Sequence, residues 1–402
     1  MSAGEFSMPR TPLDALADLL DIPNTAYESA SSRYRDLGTW LQEPIRSTSS
    51  RYHPDVSPQG SFRLGTVTRP WKRDDYDLDL TCVLHGDIDH SSWTQEQVKE
   101  MVGADLDAYR RERRISEQLK EKHRCWRLIY QDDLAFHMDV VPAIPQAQPV
   151  RSHLQNLMVT AGAPEPLAQD VARLTVVITD DRHPHYHSVC DDWFTSNPEG
   201  YARWFEARMR QAETYLQWKA LREQVKSVDK LPTHLWKTPL QRVVQILKRH
   251  RDVMFERNSD TQPASIIITT LAARAYAGEA NLHQAMANIL SKIEEHVATV
   301  PPRVPNPVNP EEDFADRWST REGRRLELER KFRLWLHQAR TDFDLFTYAP
   351  TVDAMVEQAE AKFGVKIDKQ IFGNAGGSAA THQQASAVHH IRGSSSPKPW
   401  RR

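Results

Sequence analysis

Cysteine is scarce in this chain: Cys82, Cys125 and Cys190 lie far apart and no CxxC pair occurs. That excludes a disulfide-stapled scaffold and a zinc ribbon, and it fits reduced thiols in a reducing compartment. Cys82 and Cys125 sit in apolar runs and are expected to be buried. Long hydrophobic runs are missing as well. No stretch approaches the roughly 18 apolar residues of a membrane-spanning helix. The N-terminal stretch has no cationic start followed by an apolar core, so no signal peptide is expected. Nor is there an excess of one charge: 52 Lys and Arg stand against 54 Asp and Glu, for a formal net charge of -2. Such a balance advertises no nucleic-acid partner, although local basic clusters remain possible. What the chain does have, 39% hydrophobic and 26% charged residues, is enough for a sizeable core. A soluble, cytoplasmic protein is expected.

The texture changes along the chain. Residues 11–47 read as helical, with Tyr34, Leu37, Trp40, Leu41 and Ile45 near one face. Four strand-length segments follow, "DLDLTCVL" (77–84), "CWRLIY" (125–130), "LAFHMDVVPAI" (134–144) and "RLTVVIT" (173–179), with a charged helix at about 94–122 after the first. From residue 199 onward, segments such as "PLQRVVQILKRHRDVMF" and "ASIIITTLAARAYAG" carry apolar residues at helical spacing. "VPPRVPNPVNPEEDF" (300–314) reads as a stiff crossing between helices, and a long charged helix is expected at about 318–342. The Gly/Ser-rich end is expected to be disordered, with a docking peptide for a regulator as the alternative. The outline is an α+β half, residues 1–198, then a helical lobe, 199–372, and a tail, 373–402, with the site in the cleft between the halves.

Within "GSFRLGTVTRPWKRDDYDLDL" (60–80) the chemistry concentrates. Strand alternation puts Asp77, Asp79, Thr81 and Val83 on one face and Leu78, Leu80, Cys82 and Leu84 on the other. Two carboxylates about 7 Å apart along a strand can straddle a pair of divalent ions about 3.5–4 Å apart. In "FHMDVVPAI", Asp139 projects from a second apolar strand on the face of His137 and Val141. Oxygen ligands of this kind suit Mg²⁺ or Mn²⁺ over zinc. Gly60 permits close backbone approach, and the Ser61 hydroxyl with adjacent amides suits a triphosphate. Arg63, Arg69, Lys72 and Arg73 make the loop basic, with one or two expected on phosphate and the rest in solvent. "HPHYHSVC" (183–190) admits a zinc reading, but it lies in a Pro-containing loop with no second Cys/His cluster nearby.

This pattern resembles the nucleotidyltransferase superfamily that includes DNA polymerase beta. With "HMDVVPAIP", "SNPEGYARWF", "PLQRVVQILKRHRD" and "PASIIITTLAA" it resembles, over about residues 30–345, the bacterial CD-NTases, relatives of oligoadenylate synthase and cyclic GMP–AMP synthase. The resemblance implies a polymerase beta-like core with a helical lobe. It implies Asp77 and Asp79 on two Mg²⁺ ions (Mn²⁺ substituting), and Asp139 on the catalytic ion and as base for the attacking hydroxyl. Gly60 and Ser61 would hold the donor triphosphate, and Lys248 and Ser265 would meet phosphates from across the cleft. On spacing alone, Lys248 also reads as a solvated helix face and Ser265 as a plain helix cap. The implied activity joins ATP, GTP or pyrimidine NTPs into a cyclic di- or trinucleotide signal in anti-phage defence, read by a downstream effector. A template-independent transferase making linear products or tailing RNA is one rival. A catalytically silent nucleotide-binding scaffold is another.

Overall fold

Strict alternation gives residues 76–84 one apolar and one polar face, and the chain builds outward from that strand. The computed structural model describes residues 11–71, 75–131, 135–210 and 237–369. Lys72, Arg73, the tail from 373 and part of the helix expected after residue 199 fall outside them. The strands are β1 (Pro54–Pro58), β2 (Tyr76–Leu84), β3 (Lys120–Glu121), β4 (Trp126–Tyr130), β5 (Phe136–Pro145), β6 (Val176–Ile178) and β7 (Phe194–Ser196). They form one mixed sheet in the order β1-β2-β5-β4-β3, with β6 pairing β5 and β7 pairing β6. Only β2 and β5 run parallel among the pairs described. That pairing needs a crossover, which α4 (Gln95–Glu112) and the β3–β4 hairpin supply.

Leu78, Leu80, Cys82, Met138 and Val140 face α2 (Asn24–Gln42) and α4 in one apolar cluster. The helix expected over 11–47 is two helices. α1 (Pro12–Leu20) stops before Pro23, and α2 ends before Pro44, which leaves Ile45 99% exposed instead of on the helix face. Cys82 is fully buried but Cys125, just ahead of β4, is only half-buried, since that strand lies toward the sheet edge.

A second cluster joins α5 (Gln148–Thr160), α6 (Glu165–Arg173), α7 (Pro198–Met209), α8 (Pro239–Met254), α9 (Ser265–Ala275), α10 (Leu282–Lys292), α12 (Leu328–Thr347) and α13 (Val352–Phe363), with the short α11 (Arg321–Arg325) leading into α12. α1 packs here too, against α8, although in sequence it lies within the half that carries the sheet. The proline-rich stretch is no plain crossing. It folds into a hairpin of β8 (Pro305–Asn306) and β9 (Asn309–Asp313), because the Asn306 side chain accepts from the Val308 amide at 3.0 Å and makes the turn locally. The charged helix begins at Leu328, after Glu327 takes a left-handed conformation (φ 54), and runs to Thr347. The result is the α+β sheet plus helical lobe expected. No helix among the described residues is long and apolar enough to cross a membrane.

Candidate active site

Strand register assembles the acidic face. β2 and β5 pair so that Asp79 lies opposite Asp139 and Asp77 opposite His137. β4 then sets Arg127 opposite Asp139. The three aspartates therefore share one patch of sheet, as the alternation implied. Their side chains do not close on a common point: no group of three acidic, His or Cys side chains among the described residues is disposed to hold one ion as it stands. The reason is Arg127. Its Nε donates to Asp139 Oδ1 at 2.6 Å and its Nη2 to Asp139 Oδ2 at 2.7 Å, while Nη2 lies 3.7 Å from Asp77 Oδ1. Without a metal, the guanidinium is the cation these carboxylates share. His137 approaches Asp77 (3.5 Å) and Asp75 (3.0 Å) from the same face.

Among the described residues, Asp79 has no such partner at hydrogen-bond distance. Burial first, then the charges of Asp139 and Asp77, push its carboxyl from 3.8 up to about 6, against the pull of Arg127 and Lys248. Asp77 is exposed at the mouth of the patch. The Cys125 thiol nearby is pushed up to about 12 by burial and the charge of Asp139, so it is no nucleophile at neutral pH.

The approach from β1 explains the Gly-Ser pair. The Gln59 amide donates to the Asp79 carbonyl at 2.8 Å, extending the ladder by one rung. Gly60 then turns with φ +62 into α3 (Gly60–Leu64). A Cβ there would sit 2.6 Å from Asp79 Oδ2, so only glycine lets this backbone lie against the carboxylate. Ser61 follows at the start of α3, half-buried.

The basic residues of the loop divide differently from the expectation. Arg63 meets neither phosphate nor solvent: it is buried, with Nε 2.7 Å from Glu199 and Nη1 2.7 Å from Glu206, both on α7. These carboxylates hold its guanidinium above its ordinary value despite burial, and the pair pins α3 to α7. Arg69 is exposed and donates to the Asp21 carbonyl at 2.7 Å.

Lys248 is not on a solvated face. It is buried on α8, and its Nζ donates to the Thr66 carbonyl at 3.0 Å. Burial, then neighbouring Arg251, lowers its pKa to about 8, and Asp79 is one of the charges that raise it again. Lys248 thus stands within electrostatic reach of the acidic patch. Ser265 is the first residue of α9 and not its cap, which is Ala264. Its hydroxyl accepts from Arg251 Nη1 at 2.8 Å, so it is tied to Lys248 through α8.

Three residues escaped the sequence reading. Gln241 donates to the Leu64 carbonyl (2.9 Å), Gln245 to the Val67 carbonyl (2.6 Å), and Arg249 to the Arg69 carbonyl. Together with Lys248 they grip the loop between α3 and β2. A weak signal was present in the sequence: polar residues at 241, 245, 248 and 249 recur at helical spacing, diluted by Arg242, His250, Arg251 and Asp252 on the same helix. In "HPHYHSVC" the His183 and His185 rings lie 5.9 Å apart, while His187 turns to Glu96 at 3.0 Å, and no three such side chains among the described residues gather to hold an ion.

Comparison with known proteins follows the same lines. The cyclic GMP-AMP synthase DncV-like nucleotidyltransferase domain matches residues 54–142. The chain is 30% identical over 312 residues to a c-di-GMP synthase of Roseivirga ehrenbergii, covering 76% of this chain and 72% of that protein. It is 23% identical over 317 residues to the cyclic dinucleotide synthase CdnG of Bradyrhizobium diazoefficiens, covering 76% of this chain and 70% of that one. The structure of the same organism's CD-NTase CdnG in complex with GTP superposes with a TM-score of 0.59 at 20% identity, over 92% of this chain and 98% of that one.

Proposed function

The chain belongs to the bacterial CD-NTases, nucleotidyltransferases that make cyclic oligonucleotides, and from that membership we propose a metal-dependent synthase that joins two GTP into a cyclic dinucleotide with release of pyrophosphate. The observation that carries the reading is the register that sets Asp79 beside Asp139, with the Gly60 backbone against the Asp79 carboxylate. The names of two relatives, c-di-GMP synthase and cyclic dinucleotide synthase CdnG, support a two-nucleotide ring, and the first supports guanine.

The donor set fits the metals. It is all carboxylate oxygen, and the Asp79 carboxyl is pushed up to about 6 by burial and then by Asp139 and Asp77, a penalty that a divalent cation bound there would offset. Asp77 and Asp79 would hold two Mg²⁺ ions, or Mn²⁺ in their place, with Asp139 on one of them. Bound there, the ions neutralise the triphosphate and make a ribose hydroxyl a better nucleophile. The backbone amides at Gly60 and Ser61 receive the donor triphosphate at the start of α3. The ribose oxygen attacks the α-phosphorus, the bond to the departing pyrophosphate breaks, and Asp139 accepts the hydroxyl proton. To do so Asp139 must release Arg127, whose guanidinium then faces the nucleotide's negative charge. Lys248 adds positive potential from the helical side, and Ser265, bonded to Arg251 on the same helix as Lys248, brings a hydroxyl. A second transfer within the linear intermediate closes the ring. We place this activity in the cytoplasm, as a source of an anti-phage signal read by a downstream effector.

The test is incubation with radiolabelled GTP, alone and mixed with the other NTPs, in Mg²⁺ or Mn²⁺ and in EDTA, followed by phosphatase. A phosphatase-resistant product from GTP alone, absent in EDTA and in the Asp77→Ala/Asp79→Ala variant, is expected. A resistant product that needs a second NTP would change the bases. A phosphatase-sensitive ladder alone would make the enzyme a linear transferase.

A further inference from the structure

A cavity of about 610 Å³ opens in the helical lobe, away from the acidic patch. Its walls come from the α5–α6 turn, from α7, from the last turn of α9 and from the β8–β9 hairpin, and they include Met158, Leu167 and four prolines. Ser265 begins α9 on the active-site side, whereas Arg274 lines the cavity from the other end. By the helical rise those ends are about 15 Å apart. The volume is that of a small-molecule site.

The charge in the cavity is one-signed. Arg208 donates from Nε to the Ala273 carbonyl (2.8 Å) and from Nη2 to the Tyr276 carbonyl (2.7 Å), capping α9. Arg274 donates from Nη2 to the Pro305 carbonyl at 2.7 Å. Among the described residues neither guanidinium has a carboxylate partner, whereas those of half-buried Arg127 and Arg303 each do. Burial lowers the pKa of both. His296, also in the wall, is lowered by burial and then by Arg274, with exposed Glu295 acting the other way. Trp204 lies on the same face of α7 as Arg208, one turn earlier. Two guanidiniums with N–H groups to spare, a histidine, an indole and an apolar proline wall are complementary to a molecule with a ring at one end and an anion at the other.

We infer that this cavity is a second binding site, for a small organic anion whose ring rests on Trp204 and whose carboxylate or phosphate meets Arg208, Arg274 and His296. The site is independent of the nucleotide chemistry proposed above. Nothing in it resembles a catalytic centre, so its ligand is an effector and not a substrate.

The test uses 8-anilinonaphthalene-1-sulfonate, a fluorescent aromatic anion, on the full chain with saturating GTP and Mg²⁺ present. One saturable site is expected. Arg274→Gln and Ala161→Trp should each weaken it at least tenfold. Ala161 is an exposed residue at the cavity rim, so its variant should plug the mouth with the melting temperature and the product yield from GTP unchanged. Displacement by phenyl phosphate but not phenylpropionate would assign a phosphate ligand, and the reverse a carboxylate. The inference is overturned if no saturable binding occurs, if GTP displaces the dye, or if Ala161→Trp binds it normally. A loss confined to Arg274→Gln overturns it too, since any ligand filling the cavity must feel the plug.

Discussion

Replacing Asp79 by Asn should make the metal-free protein more stable while abolishing its chemistry. The carboxyl is pushed from 3.8 to about 6, chiefly by burial and then by Asp139 and Asp77. Below about pH 4 the group is protonated in both folded and unfolded chains and costs nothing. As pH rises from there toward 6, the unfolded chain gives up its proton while the folded one keeps it, so a stability present at low pH is progressively lost. Above about pH 6 the full penalty stands, about 3 kcal/mol by the usual conversion, or about 2 kcal/mol after allowing for partial water contact. Asparagine keeps the shape and removes the charge. Urea unfolding in EDTA at about pH 7.5 should therefore place Asp79→Asn about 2–3 kcal/mol above the parent, a gap that closes as pH falls toward 4. Adding Mg²⁺ should stabilise the parent and leave the variant nearly unmoved. The reasoning fails if the variant is no more stable than the parent at pH 7.5 in EDTA, or if the gap does not change with pH.

Other outcomes follow from the same geometry. Gly60→Ala puts a Cβ 2.6 Å from Asp79 Oδ2 at a left-handed backbone position; it should cost about 1–3 kcal/mol in urea unfolding and cut product yield sharply. Arg63→Met leaves Glu199 and Glu206 facing each other without their shared cation. Its cost should be about 3–5 kcal/mol, partly recovered by adding Glu206→Gln, as read from the urea midpoint. Arg127→Met strips Asp139 of its bidentate partner. Stability in EDTA should fall by about 1–3 kcal/mol, and Mg²⁺ should raise the melting temperature more in this variant than in the parent.

Alternation within one strand was enough to read Asp77 and Asp79 as one face and Asp139 as a third projecting carboxylate, because a strand's side-chain period is fixed by its backbone. What alternation does not carry is register. That Asp79 lies opposite Asp139, and that Arg127 bonds Asp139 and approaches Asp77, depends on pairings between strands separated by a helix and a hairpin. Arg63 was misread for the same reason: its partners Glu199 and Glu206 lie far along the chain, and nothing local distinguishes a buried arginine from a phosphate-binding one. Lys248 shows the opposite failure. Its helix is buried nearly all round, so a face that looks solvated by composition is in fact turned onto backbone carbonyls. Helix ends at Pro23 and Pro44 were legible in principle, and the hairpin at Asn306 shows a side-chain acceptor overriding the stiffness of its neighbouring prolines.

The grip of α8 on the loop has an evolutionary corollary. Gln241, Gln245, Lys248 and Arg249 hold the carbonyls of Leu64, Val67, Thr66 and Arg69, not their side chains. Every residue type offers the same carbonyl, so exposed loop positions such as Arg69 can change identity without loosening the loop's path. Substitution should therefore act unequally on the two: a change at the α8 positions removes a donor that holds the loop, while a change at an exposed loop position leaves the same carbonyl in place.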